Sequence, residues 1–435
     1  MNFQMANYKT KNTVYIVDGL RTPFIKVQGG PNPLSASDLA VTAARVLLAR
    51  QSFKPEVIEE VIVGCASPAP DEMNIARLIA LRLGCGDKCL GWTVQRNCAS
   101  GLQAIDCASQ DIASGRHDIV LAGGTECMSR APLIFNDAMV EWLANFKMSR
   151  TFFKKIKALM QFRPQFIIPV IGLLKGLTDP YVNLSMGQTA ENLGYQFNIS
   201  REEMDALALS SHERALFAQE QGYFNEITPL CDWQGGIVEF DNGVRLDSSL
   251  EKLAKLKPAF DKPFGNVTAG NSSPVTDGAA FLILASEAAV KRYNLTVLGK
   301  IVETTWAALD PAVMGLGPVH AITKLLSAQQ LSIQDIDYWE INEAFAVQVL
   351  ACLKAMNDQD YCQTRLGLSH ALGTIDIKRL NVDGGAIAVG HPVGASGARL
   401  VLHLLQVLKR HNAKRGIASL CIGGGQGGAM LLERM

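Results

Sequence analysis

Gln95-Arg96-Asn97-Cys98-Ala99-Ser100-Gly101-Leu102 is the stretch on which the fold turns. It follows an extended run, Leu90 to Val94, and leads into a segment where Ile105, Ala108 and Ile112 recur at helical spacing. The reading is strand, tight turn, helix, with Cys98 at or near the helix N-terminus. There the free N–H groups and the helix dipole favour a thiolate over a thiol. Ala99, Ser100 and Gly101 are small and leave room for a carbonyl to approach the sulfur. A lone cysteine in such a turn is more often a buried core residue. Three further stretches weigh against that reading: Asn342-Glu343-Ala344-Phe345, Gly390-His391-Pro392 and Cys421-Ile422-Gly423.

The same alternation extends to both sides of Cys98. Val14 to Val17 reads as a first strand, closed by Asp18-Gly19, and Ser37 and Asp38 offer caps for a helix from Leu39 to Leu48. Val61-Ile62-Val63-Gly64 has the pattern of a strand covered on both faces, and Met73 to Leu83 that of a helix. Asp118 to Gly124 is the next buried strand. Strands alternating with helices argue for an α/β fold with parallel character. Further on, Asp337 to Ile341 is a strand leading into a helix, Ala344 to Ala355. Ala395-Ser396-Gly397 opens a helix running to Lys409, and Gly416 to Ile422 is a strand ending in Gly423-Gly424-Gly425. Both parts read Ala-Ser-Gly, helix, strand, glycines, which predicts an internal duplication. The expected division is an N-terminal half over 1–130, completed by about 265–295, an inserted unit over 131–264, and a C-terminal half over 296–435.

A chain of 435 residues is too long for one simple core, so two or three domains are expected. Its net charge of +0 provides no global field for nucleic acid, and no nucleic-acid partner is expected. The ten cysteines are scattered without disulfide or zinc-site spacing, which suits a reducing compartment, and Cys85 and Cys89 read as structural. No metal site is expected. Met1 to Lys11 has neither a secretory nor a transit-peptide pattern. No apolar run reaches the ~18 residues that a spanning helix needs.

The four stretches around Cys98, Asn342, His391 and Cys421, in this order and spread over the whole chain, resemble the thiolase family, the acyl-CoA C-acyltransferases. The resemblance begins at Val17-Asp18-Gly19-Leu20-Arg21-Thr22-Pro23-Phe24 and ends at Gly423-Gly424-Gly425-Gln426-Gly427-Gly428-Ala429. It implies a duplicated thiolase fold, two similar α/β halves packed in layers around one site, with an inserted, mostly helical loop domain that holds coenzyme A. Leu256 to Phe260 and Asn266 to Ser273 match that domain. Thiolase chemistry needs a nucleophile, a base to activate it, donors for two oxyanions and an acid/base at the α-carbon. By resemblance these are Cys98 as nucleophile, His391 as base, Asn342 as the residue that orients a water as oxyanion donor, Cys421 as acid/base, and the N–H groups of Gly423 and Cys98 as the second oxyanion hole. Read without the resemblance, Asn342 is a helix cap and Cys421 a core strand residue. Ser273, Met186 and Phe345 match positions that contact the pantetheine arm. Gly423 to Gly427 lacks the lysine of a phosphate loop and is not read as one.

The implied activity is that of a 3-ketoacyl-CoA thiolase of fatty-acid β-oxidation, with coenzyme A as substrate and no permanently bound cofactor. Where short-chain biosynthetic thiolases carry His before Met-Gly, this chain has Ser185-Met186-Gly187, which favours a degradative enzyme. The rivals are an acetoacetyl-CoA thiolase working in the condensing direction and a non-catalytic scaffold on a membrane surface. A ketosynthase would carry a second histidine where this chain has Asn342 and Cys421.

Trp142 to Thr178 contains no Asp or Glu but has Lys147, Arg150, Lys154, Lys155, Lys157, Arg163 and Lys175 interleaved with apolar residues. Phe152, Ile156, Leu159 and Met160 fall on one helical face with the lysines largely off it, the composition of an interfacial helix on anionic lipid. The competing reading is a helical hairpin packed on the body. Thiolase β-subunits of the fatty-acid oxidation trifunctional complex have a comparable membrane-attaching insert and work with a hydratase/dehydrogenase α-subunit. The resemblance therefore implies peripheral membrane contact through 142–178 and a homodimer or higher oligomer. The expected location is cytoplasmic, at the inner membrane, or the mitochondrial matrix for an organellar form.

Overall fold

The structure, a computed structural model, describes residues 12–231 and 236–435. The reading of Met1 to Lys11 lies outside the described residues. Nine strands form the path of one large sheet. In chain order they are β1 (Val14–Arg21), β2 (Glu60–Gly64), β3 (Leu90–Val94), β4 (Ile119–Cys127), β5 (Thr276–Ser286), β6 (Gly299–Ala308), β7 (Tyr338–Ile341), β8 (Arg415–Ile422) and β9 (Gln426–Arg434). Their spatial order is β7-β8-β9-β6-β1-β5-β4-β2-β3, and the two-residue strand Ile25–Lys26 adds to β5.

The duplication is visible in this order. In the N-terminal half β1, β5 and β4 are antiparallel neighbours, and β4 then pairs in parallel with β2. In the C-terminal half β6, β9 and β8 repeat the antiparallel run, and β8 pairs in parallel with β7. The halves join where β1 meets β6, with Val14 opposite Ile301.

Helices α1 (Ala36–Ala49), α2 (Ile75–Arg82) and α3 (Ser100–Ala113) belong to the first half. The insertion between β4 and β5 carries α4 (Asp137–Met148), α5 (Phe152–Met160), α6 (Gly172–Gly176), α7 (Met186–Gln196) and α8 (Arg201–Glu220). The second half adds α9 (Gly317–Gln329), α10 (Ala346–Asn357) and α11 (Val393–Arg410). Apolar burial separates into layers. One outer core lies under α1 and α2, the other under α9 and α10. The central core is shared by α3, α11 and strands of both halves. There the backbones are nearly in contact: a Cβ on Gly397 would lie 2.5 Å from Leu102 N, so only glycine permits this crossing.

Four helix starts differ from the sequence reading. α1 begins at Ala36, because Ser35 rather than Ser37 or Asp38 caps it, and α2 begins at Ile75, capped by Asn74, not at Met73. The helix after Asn342 begins at Ala346, not Ala344, because Ala344 O instead accepts from Ser273 N at 3.0 Å. The helix holding Ala395-Ser396-Gly397 begins at Val393, directly after Pro392, whose fixed φ suits a helix start.

The basic insert is a short hairpin. Asn136 and Thr151 cap α4 and α5 through their side chains. Trp142 stacks on Phe146 at 5.6 Å, meets Phe162 edge-on at 5.0 Å, and donates Nε1–H to Ala158 O at 2.8 Å. Ala158 is the one buried residue of α5; Phe152, Ile156, Leu159 and Met160 are exposed, and Phe153 is 83% exposed. The hairpin thus holds itself together but leaves its apolar side uncovered.

Candidate active site

Duplication places Cys98 and His391 at matching positions. Cys98 follows β3 and precedes α3; His391 precedes α11, the counterpart of α3. Asn342 and Cys421 lie at the C-terminal ends of the parallel neighbours β7 and β8, with Ile341 opposite Ser419 and Asn342 N donating to Ser419 O at 2.9 Å. In α/β sheets the carboxyl ends of parallel strands are where ligands bind.

The geometry fixes the imidazole's tautomer. His391 Nδ1 lies 2.6 Å from Ser396 Oγ, and that hydroxyl donates to Pro392 O at 3.0 Å. With its one proton so engaged, Ser396 Oγ accepts from Nδ1–H. The lone pair of His391 then sits on Nε2, where the Asn342 amide approaches to 3.4 Å. The backbone N–H of His391 donates to Thr276 Oγ1 at 2.8 Å, which pins the loop. Burial first, and the Arg399 cation second, hold His391 down at about 4, so the ring is neutral at pH 7.

Asn342 does not cap the following helix: its N-cap is Phe345, with no side-chain cap bond. The amide is buried beside the imidazole instead. Glu343 lies before the start of α10 as well. It is buried, accepts from Ser211 Oγ at 2.6 Å, Asn381 Nδ2 at 2.9 Å and Ile387 N at 3.3 Å, and burial raises its pKa. It therefore ties the Asn342 segment to the loop that leads to His391.

Cys98, Cys421 and Gly423 form the other side. Asn97, with φ of 44°, donates its amide to Gly423 O at 2.8 Å, and the Gly423 N–H points at the Cys98 sulfur. The expectation of a thiolate at Cys98 is corrected here. Burial is the largest influence and raises its pKa, and the nearby Glu126 carboxyl adds to the rise against the N–H groups of Gly423 and Cys98 itself. The helix starts at Ser100, with Ala99 at its cap position, so the dipole does not outweigh desolvation. Cys421 is raised well above the ordinary thiol value, by burial first and the Cys98 charge second, and is a protonated thiol. All ten cysteines are free.

A cavity of about 680 Å³ opens beside Cys98 and is lined by Met186, Gly423 and Gly424, among others. Met186 also sits against Gly423, whose Cβ would lie 3.1 Å from its Sδ. Ser273 and Phe345 do not line this cavity: Ser273 Oγ donates to Ala344 O at 3.1 Å, and Phe345 meets Phe260 edge-on at 5.9 Å. Gly424 and Gly425, with φ of 90° and 74°, make the turn between β8 and β9. Among the described residues, no group of three His, Cys, Asp or Glu side chains is arranged to hold a metal ion. Sequence reading did not single out Asn97, Thr276 or Ser396 as functional. Ser396 was visible only as part of the repeated Ala-Ser-Gly.

Two family models match the chain: the thiolase N-terminal domain over residues 14–288 and the thiolase C-terminal domain over 295–434. The 3-ketoacyl-CoA thiolase of Yersinia pestis (strain Pestoides F) is 36% identical over 424 residues, covering 97% of this chain and 96% of its own. That of Yersinia pseudotuberculosis (serotype O:1b, strain IP 31758) matches to the same extent. Among solved structures, human mitochondrial 3-ketoacyl-CoA thiolase in complex with CoA superposes with a TM-score of 0.84 at 37% identity, covering 98% of this chain and 99% of that one. The Bacillus anthracis acetyl-CoA acetyltransferase superposes with a TM-score of 0.81 at 37% identity, over 98% and 99% of the two chains.

Proposed function

This chain belongs to the thiolase family, and on that premise we propose that it is a 3-ketoacyl-CoA thiolase of fatty-acid β-oxidation. The observation that carries the reading is the neutral His391 with its Nε2 lone pair turned to Asn342, which ends the strand beside the one that carries Cys421, a thiol raised by its neighbour Cys98. Cys98 loses its proton to His391 and attacks the ketone carbon of 3-ketoacyl-CoA. The oxyanion collapses, the bond between the α-carbon and the former ketone carbon breaks, and the acyl group stays on Cys98 as a thioester. The acetyl-CoA carbanion takes its proton from Cys421, whose thiol form suits a donor. The proton on His391 returns to the Cys421 thiolate, and the freed imidazole takes the proton of coenzyme A, whose thiolate attacks the thioester; the C–S bond to Cys98 breaks, Cys98 takes that proton back from His391, and the product leaves as an acyl-CoA two carbons shorter. Asn342 beside His391, and the N–H groups of Cys98 and Gly423, supply the oxyanion donors. Ser273, Met186 and Phe345 contact the pantetheine arm. Coenzyme A is a substrate, and no permanently bound cofactor is needed.

Mixing the protein with a 3-ketoacyl-CoA and recording the intact mass tests this. Wild type gains an acyl group on Cys98, and Cys98→Ala gains none and loses thiolysis. Full activity in the alanine variant overturns the assignment.

The inserted unit, about 131 to 264, is proposed to hold coenzyme A and to carry the attachment to membranes. The uncovered apolar side of α5, flanked by Lys154, Lys155 and Lys157, supports peripheral contact with anionic lipid. Among the described residues no helix is long and apolar enough to cross a membrane. Among the described residues β3 ends the sheet with no further strand beside it and exposes Leu90 and Trp92, which supports pairing with a second copy. The insert's resemblance to trifunctional-complex β-subunits extends the proposal to a hydratase/dehydrogenase α-subunit, and to the cytoplasmic face of the inner membrane or the mitochondrial matrix.

A further inference from the structure

Glu126 is a buried carboxyl in the wall of the active site that the reaction above does not use. It stands one residue before the end of β4 and lines the cavity beside Cys98. Burying a carboxyl is costly unless its oxygens are engaged. Here Oε2 accepts from Ala66 N at 2.8 Å, and Oε1 accepts from Ser67 N at 3.0 Å and from the Cys65 thiol at 3.8 Å. The N–H of Gly394, in the first turn of α11, faces the carboxyl from the other half of the chain. All four groups are donors, which suits a carboxylate rather than an acid.

These contacts join the two halves where Cys98 and His391 lie. Gly394 is three residues after His391, and a Cβ on it would lie 2.7 Å from Glu126 Oε2. The first turn of α11 therefore rests directly on the end of β4. On the other side, Ala66 and Ser67 follow β2 and line the same cavity as Cys98. The titratable groups that face Glu126 are the thiols of Cys65 and Cys98; β5 presents Gly278 opposite it, and α11 presents Gly394. Burial raises the Glu126 carboxyl to about 7 against its N–H donors, and its charge in turn adds to the rise of the Cys98 thiol.

We propose that Glu126 is a positioning residue of the thiolase reaction: its carboxylate fastens the first turn of α11, and His391 with it, to the N-terminal half, and its charge keeps the resting Cys98 sulfur protonated until His391 takes the proton. The inference rests on the thiolase reading and deepens it. Glu126 itself exchanges no proton with the substrate, because backbone N–H groups occupy its oxygens.

Two measurements test it: thiolysis kinetics, and the pH dependence of Cys98 alkylation by iodoacetamide, followed by peptide mass. In wild type the logarithm of the alkylation rate is expected to rise with pH, flatten near pH 7 as Glu126 ionises, and rise again. An unbroken line of unit slope through that range overturns the charge role, whatever the variants do. Glu126→Gln keeps the shape but turns an amide NH2 toward a backbone N–H. It is expected to lower kcat about tenfold or more with KM for CoA within about threefold, to speed alkylation above pH 7, and to lose the flattening. Glu126→Asp keeps the charge but withdraws it by one methylene, so kcat falls in the same way while the flattening persists. A Gln variant with wild-type kcat overturns the positioning role and leaves the thiolase reading intact. A wild type that cleaves no 3-ketoacyl-CoA overturns both.

Discussion

His391 carries the electrostatic consequence of its surroundings at the residue scale. Burial and the Arg399 cation lower its pKa from the ordinary 6.5 to about 4. In the role of base proposed for it, His391 must be unprotonated, and its lowered pKa keeps it so as pH falls well below neutrality. The acidic limb of kcat/KM that belongs to His391 is therefore expected near pH 4, and a limb near 6.5 in a thiolysis pH profile would refute the buried, neutral ring. The linkage sign follows. Between pH 6.5 and 4 the unfolded chain binds a proton at His391 that the folded chain refuses, so this residue's contribution to stability is lost as pH falls through that window. Asn342 shows the opposite outcome to its local reading. Its position two residues before an apolar helical run signals a cap, but the backbone between stays extended at Phe345 and sends the amide to the imidazole.

At the scale of elements, the hairpin of α4 and α5 is the part whose sequence and structure point outward together. Its core is small, the cluster of Trp142, Phe146, Phe162 and Phe166 around Ala158. The remaining apolar residues of α5 are exposed, which costs solubility unless something covers them. Each lysine near an anionic surface contributes about 1 kcal/mol. Replacing Lys154, Lys155 and Lys157 together by Glu reverses that contribution, so co-sedimentation with vesicles containing anionic lipid is expected to fall by at least tenfold while thiolysis of a soluble substrate persists. Lipid binding equal to wild type would remove the membrane proposal.

Across the whole molecule, a buried ionic chain joins the three parts. Arg21 of β1 pairs with Glu226 and Asp241 of the insertion at 3.3 and 2.7 Å. Glu226 and Asp383 each lie 3.0 Å from one ring nitrogen of His403 on α11, and Arg410 pairs with Asp383 at 2.6 Å. With a carboxylate at both nitrogens, His403 is an imidazolium; although burial opposes it, its pKa is raised to about 9. A raised pKa means the stabilisation is complete below 6.5 and is lost as pH rises through about 9. Thermal midpoints are expected to drop between pH 7 and 10 in wild type. His403→Gln leaves the three carboxylates of Glu226, Asp241 and Asp383 against the two guanidinium groups of Arg21 and Arg410, and is expected to lower stability by about 3–5 kcal/mol at pH 7 in urea unfolding. A variant as stable as wild type, or one with the same alkaline drop, would refute the assignment.

The sequence alone determined the alternation of strands and helices, the duplication and the turn at Cys98, because apolar periodicity, glycines and caps act over neighbouring residues and survive without knowledge of the fold. It also marked 142–178, since unbalanced charge is a property of composition. Only the tertiary structure decided the direction in which the Cys98 thiol is shifted, the tautomer of His391 through Ser396, the placement of Asn342 beside His391 and the ionic chain through His403. Those depend on which groups from distant segments share a dry interior, where desolvation and single hydrogen bonds outweigh what each residue would do in its own local stretch.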